Sequence, residues 1–211
     1  MAAALRLAKE ADPALPTFKF MSLDYPALQA FDFDLPCYRK HEFGPGFLQK
    51  QLMIKYWLTY AFGHREYFDQ FYANNHTSAE LKSKYRDHLS WDYLPIEFTE
   101  GYKISDKKDF DGDNELSDKI QAIILDPLFA PLMATDEDLS LLPPTYIMNA
   151  EFDALRDDGF IAAGRLRQAG LEVEQSYLPA EEHGFLNLVT IDQNAVDELV
   201  NFSKFFKRII K

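Results

Sequence analysis

The sequence predicts an α/β fold with a parallel sheet. Two short runs rich in β-branched and aromatic residues, 145–149 (TYIMN) and 173–178 (VEQSYL), read as strands. Each is followed by a longer segment of helical periodicity, about 154–169 and about 193–210. Strand–helix–strand connections within one sheet are right-handed and make their strands parallel.

The elements upstream follow from the same rules. Residues 1–10 (MAAALRLAKE) have helical composition, with no Ser, Thr, Asp or Asn ahead of Ala2 to cap them, and so read as the remainder of a longer element. Pro13 and Pro16 end that segment. Residues 17–24 (TFKFMSLD) alternate and form a strand, closed by Tyr25-Pro26. Residues 27–46 are irregular, broken by Pro36, Gly44, Pro45 and Gly46. Residues 47–62 form a helix, with Leu48, Leu52, Tyr56 and Tyr60 at four-residue spacing, and a short helix covers 78–85. Asp109, Asp111 and Asp113 alternate as in a calcium loop. The glycine and glutamate such a loop needs are replaced by Asn114 and Ile120, so an acidic surface loop is expected instead. Residues 126–138 read as a proline-interrupted loop. Ala162, Leu166 and Ala169 give the next helix an inward stripe, with Gly170 after it. Val196, Leu199, Val200, Phe202, Phe206 and Ile210 give the last helix a broad apolar face. The chain reads as a single domain, 1–211, in which 27–141 is a helical and loop insertion over the sheet edge.

Composition narrows the function. A hydrophobic content of 47% supports a packed core, and a net charge of −12 excludes a nucleic-acid partner, which needs a basic face. The basic residues Lys204, Lys207, Arg208 and Lys211 sit where they complement a helix C-terminus. Cys37 is the sole cysteine, so it forms no intrachain disulfide and is expected to be a buried structural thiol. No signal peptide, membrane span or metal-ligand spacing is legible, and no cofactor is expected.

Two residues stand where proton chemistry is done. Asp153 follows the first of the two downstream strands and His183 the second. An acid and a histidine beyond the ends of neighbouring parallel strands form two-thirds of a nucleophile–His–acid triad. Asp153 alone would read as a helix N-cap, and Asp157 and Asp158 as first-turn carboxylates suited to the helix dipole. His41, His64, His76 and His88 lack such a partner and read as packing or surface residues. The third member is not visible: none of the serines stands in a G-x-S-x-G turn.

At YPALQAFDFDLPCY (25–38), LPPTYIMNAEFDALRDDG (142–159) and His183-Gly184-Phe185, the sequence resembles the carboxyl-terminal half of the arylacetamide deacetylase and neutral cholesterol ester hydrolase group, hormone-sensitive-lipase-like α/β-hydrolases. The resemblance implies a partial α/β-hydrolase fold: the last three parallel strands, flanking helices and a helical lid-like insertion. It implies Asp153 as triad acid and His183 as triad histidine. Glu181 and Glu182 depart from the family pattern before that histidine. The resemblance further implies an apolar ester or amide substrate, and location at the endoplasmic reticulum, with membrane association only through an amino-terminal region. In that family a segment like 1–10 follows the nucleophile elbow. The expectation is therefore a fragment carrying acid and histidine, inactive alone, whose first strand offers an unpaired edge and makes it prone to aggregation. The alternative is a non-catalytic binding or regulatory module. The aromatics Tyr56, Trp57, Tyr60, Phe62, Tyr67, Phe68, Phe71 and Tyr72 are expected to help form a lid or acyl pocket, or simply to pack.

Overall fold

The computed structural model describes residues 1–10, 12, 14–15, 17–43, 46–103 and 112–211. Pro13, Pro16, Gly44, Pro45, Asp109 and Asp111 lie outside the described residues. Three strands form one parallel sheet in the order β1 (Met21–Asp24), β2 (Thr145–Phe152), β3 (Val173–Glu182). The helices are α1 (Ala2–Glu10), α2 (Pro36–Lys40), α3 (Lys50–Phe62), α4 (Phe68–Tyr72), α5 (Ala79–Lys84), α6 (Ile96–Thr99), α7 (Asn114–Ile124), α8 (Asp136–Leu139), α9 (Arg156–Gln168) and α10 (Gln193–Ile209). The α/β class, with three parallel strands and flanking helices, is the observed one.

β2 is the centre of the design. Every residue from Thr145 to Glu151 is buried, as a strand covered on both faces must be. Its side chains alternate between two cores. Ile147 joins a large cluster with α1, α3, α7 and α9, while Tyr146, Met148 and Ala150 join Phe185, Ala195 and Phe205 beneath α10. β1 and β3 pair only with β2, so among the described residues both are sheet edges.

Several elements differ from the sequence reading. The first strand is shorter, Met21–Asp24 rather than 17–24, because pairing with β2 begins at Met21 opposite Thr145. β2 and β3 are longer and run to Phe152 and Glu182. The acidic stretch before 120 is helical from Asn114: Asp113 caps α7 by accepting the Leu116 N–H at 2.9 Å. α10 buries Ala195, Glu198 and Phe205, while Val196, Leu199, Val200 and Ile210 of the expected apolar face are exposed. Ala162 and Leu166 are buried as expected, with Ala169 at the margin. Cys37 is buried, its thiol donates to the Ala154 carbonyl at 2.9 Å, and burial pushes its pKa well up.

His76 is fully buried, stacks on Phe71 with ring centroids 3.9 Å apart, and lies 3.1 Å from the Ala30 carbonyl through Nε2. Burial, helped by the Lys82 charge, lowers its pKa from 6.5 to about 3. A depressed base pKa means the unfolded chain takes up the proton first. Its contribution to stability is therefore complete above pH 6.5 and declines as pH falls towards 3, by up to about 1.4 kcal/mol per pH unit. Paired urea titrations of the wild type and His76→Gln at pH 7 and pH 4 are expected to show that decline as a change in the stability difference between them, since the raised Asp158 carboxyl acts with the opposite sign in both alike.

Candidate functional site

The site lies at the carboxyl ends of β2 and β3. The two strands run in step from Thr145↔Val173 to Ala150↔Leu178, then slip, so that Phe152 pairs with Glu182. Continuing the first register would have set Glu181 beside Asp153. The slip, at a stretch that contains Pro179, brings His183 there instead. Proline is tolerated on an edge strand, where its missing N–H breaks no ladder bond.

Beyond the strand ends the two side chains meet. His183 Nδ1 lies 2.9 Å from Asp153 Oδ2. Asp153 is fully buried, and its other oxygen accepts the Leu155 N–H at 2.8 Å. Leu155, not Asp153, occupies the N-cap position of α9, so the cap reading of Asp153 is corrected: its carboxylate is divided between a turn N–H and the imidazole. The His183 side chain is 29% exposed. Gly184 follows at φ +87°, a left-handed conformation that glycine adopts without strain, and the turn drops Phe185 into the core. Among the described residues no side chain hydrogen-bonds His183 Nε2.

The start of α9 is packed with charge. Arg156 is buried, donates to Glu151 at 3.0 Å and to Asp157 at 2.9 Å, and lies 3.6 Å from the Phe98 ring centre. Glu151 also accepts from Lys40 and from the Tyr177 hydroxyl. Burial works to raise the Glu151 pKa, but those hydrogen bonds and the Arg156 charge outweigh it and hold the carboxyl low. Asp157 accepts the Cys37 N–H at 2.7 Å. Asp158 accepts the Leu28 N–H at 2.9 Å and Gln29 Nε2 at 3.1 Å, while burial raises its carboxyl to about 7. Asp157 and Asp158 thus hold the 28–37 segment against α9. They reach well beyond the helix-dipole role that sequence suggested.

Gly159 fits this packing because it has no side chain. A Cβ there would stand 1.9 Å from Asn149 Nδ2, and that amide is fixed by bonds to the Arg156 carbonyl and to Gln175, both at 3.1 Å. Gly159→Ala gains about 1 kcal/mol of helix propensity. Against that stand about 1–3 kcal/mol of overpacking and the loss of buried hydrogen bonds. A net loss of stability is expected, read as a lower urea midpoint at unchanged m-value.

None of the three described cavities is lined by Asp153 or His183. One, of about 400 Å³, is apolar and lined by Ala27, Leu28, Tyr56, Trp57, Tyr60 and Phe129 among others. Of the aromatics singled out from sequence, Tyr56, Trp57 and Tyr60 line this cavity, whereas Phe62, Tyr67, Phe68, Phe71 and Tyr72 pack against or within the large core. Among the described residues no group of three His, Cys, Asp or Glu could hold a metal ion, and no helix is long and apolar enough to cross a membrane.

Comparison with known proteins agrees with this architecture. Residues 92–187 match a family model described as the alpha/beta hydrolase fold. Neutral cholesterol ester hydrolase 1 of Bos taurus is 38% identical over 169 residues, 79% of this chain and 40% of its own length. Arylacetamide deacetylase of Bos taurus is 34% identical over 187 residues, 87% of this chain and 46% of its own. The chain thus spans less than half the length of these curated relatives. A fungal esterase from Rhizomucor miehei shares the fold across 99% of this chain and 47% of its own, with a TM-score of 0.61 at 18% identity. A bacterial heroin esterase does so across 99% and 48%, with a TM-score of 0.56 at 23% identity. The chain has the alpha/beta hydrolase fold, and over most of its length its sequence is similar to neutral cholesterol ester hydrolase 1 and arylacetamide deacetylase.

Proposed function

We propose that this chain supplies the acid and the histidine of a serine-type carboxylic-ester or arylamide hydrolase, as the carboxyl-terminal half of that enzyme, with the nucleophile carried by sequence outside these 211 residues. The observation that carries this reading is the 2.9 Å contact between Asp153 and His183 beyond the ends of two parallel strands. In such a pair the buried carboxylate holds the proton on Nδ1 and stabilises the imidazolium that forms. Nε2 then takes the proton of a serine hydroxyl as it attacks the carbonyl carbon, and returns it to the departing alcohol or amine. A water repeats the sequence and releases the acid. The cavity lined by Tyr56, Trp57, Tyr60 and Phe129 suits an apolar acyl or aryl group, since such pockets are mostly apolar with few polar groups. In this reading residues 27–141 are the insertion that forms it.

The test joins the chain to the serine-bearing part of bovine arylacetamide deacetylase and measures hydrolysis of a short-chain aryl ester. Turnover, together with labelling of the serine by a fluorophosphonate, is the expected result. A folded assembly whose turnover is untouched by His183→Ala sinks the assignment. A second reading, a non-catalytic binding module, is favoured by the lack of a G-x-S-x-G turn within these residues. A folded assembly that neither labels nor turns over supports it.

A further inference from the structure

We propose that Tyr25 is the positioning residue of the Asp153–His183 pair: its ring is the wall that holds the imidazole in register with the carboxylate. This rests on the reading of that pair given above. Tyr25 follows the last residue of β1 and has φ +39°. Asn74 is the other described non-glycine residue with positive φ, and asparagine tolerates that region where a bulky aromatic does not. Pro26 sharpens the contrast, because a residue before proline is driven towards extended backbone. Strained backbone of this kind persists only where the surroundings over-determine it.

The surroundings are specific. The Tyr25 N–H donates to the Met148 carbonyl at 2.8 Å, tying the residue to β2 just beyond the last β1–β2 pair. Its ring lies 4.7 Å from the His183 ring, tilted by 58°, and 6.0 Å from Phe185, tilted by 67°. The imidazole has one hydrogen-bonded anchor, Asp153, and is partly exposed. One anchor does not stop a ring from swinging about its side-chain torsions. A ring packed beside it limits that swing, and does so without competing for Nε2. The Tyr25 hydroxyl has no hydrogen-bond partner among the described residues, so the aromatic ring rather than the oxygen carries the role.

Imidazole ¹⁵N NMR on the 211-residue chain at pH 9 tests this. The wild type is expected to show His183 as a single tautomer, with the proton on Nδ1 and a slowly exchanging Nδ1–H resonance. Tyr25→Phe should keep that spectrum. Tyr25→Gly accepts the backbone conformation but removes the ring. It should move the two nitrogen shifts towards each other and broaden the Nδ1–H signal beyond detection. Should the glycine variant not fold, Tyr25→Leu is read in its place with the same expectation. Leu23→Ala, in the strand that leads to Tyr25, should lower the melting temperature and leave the His183 spectrum alone, which separates positioning from loss of stability. A ringless variant with the wild-type His183 spectrum, or Tyr25→Phe behaving like Tyr25→Gly, overturns the proposal alone. A wild type without the Nδ1–H signature overturns the pair itself, and this proposal with it.

Discussion

Asp153→Asn, in the chain joined to a serine-bearing half, is expected to lower kcat by about four orders of magnitude, the loss that follows from a histidine held in the wrong tautomer. The local geometry dictates that tautomer. Asp153 Oδ1 accepts the Leu155 N–H, and an asparagine keeps its carbonyl oxygen on that donor. Its amide nitrogen then occupies the place of Oδ2, 2.9 Å from His183 Nδ1. An N–H aimed at Nδ1 requires Nδ1 to be the acceptor, which puts the imidazole proton on Nε2, the atom that must receive a proton. The variant should therefore fold and still be inactive. Single-turnover kinetics with the aryl ester, paired with a thermal melt, check both halves of the statement. A variant that retains wild-type kcat would remove Asp153 from the mechanism.

Arg156→Met is expected to cost about 3–5 kcal/mol of stability, the range for removing one partner of a buried ion pair. Arg156 is among the largest fully buried side chains of the described residues and serves Glu151 and Asp157 together while its guanidinium faces Phe98. Methionine fills much of the volume but leaves the Asp157 carboxylate, which is completely buried, with the Cys37 N–H as its remaining donor among the described residues. Glu151 keeps Lys40 and Tyr177, so Asp157 dominates the loss. Arg156→Lys should recover little, since an ammonium lacks the planar fork that reaches two carboxylates at once. For a chain of this length each kcal/mol is about 2–4 °C of melting temperature, so calorimetry resolves the effect readily.

Periodicity makes the strand–helix–strand core legible in the sequence, and the order of its last elements places Asp153 and His183 beyond neighbouring strands. The extension of β3 was not legible, because Pro179 reads as a strand breaker unless the strand is known to be an edge. The helix after Asp113 was masked by its charge, although the aspartate that caps it was in plain view. The buried charges were the larger omission. Charged side chains are seldom buried unless paired, and here the partners come from distant chain: Lys40 for Glu151, the Cys37 N–H for Asp157, and Leu28 with Gln29 for Asp158. Nothing local in DALRDDG announces those contacts. In the sequence Tyr25 reads as strand punctuation, and its φ and its contact with His183 belong to the folded chain alone.

The slip between β2 and β3 has a consequence for how this stretch can vary. Pro179 and Ala180 are solvent-exposed, and by surface position alone they belong to a class of residues that usually tolerates gain or loss of a neighbour. Here the tally of residues between Leu178 and His183 fixes which side chain arrives beside the buried acid. Chemical identity is free to drift at these two positions while their number is not, a constraint on length written into an otherwise permissive patch of surface.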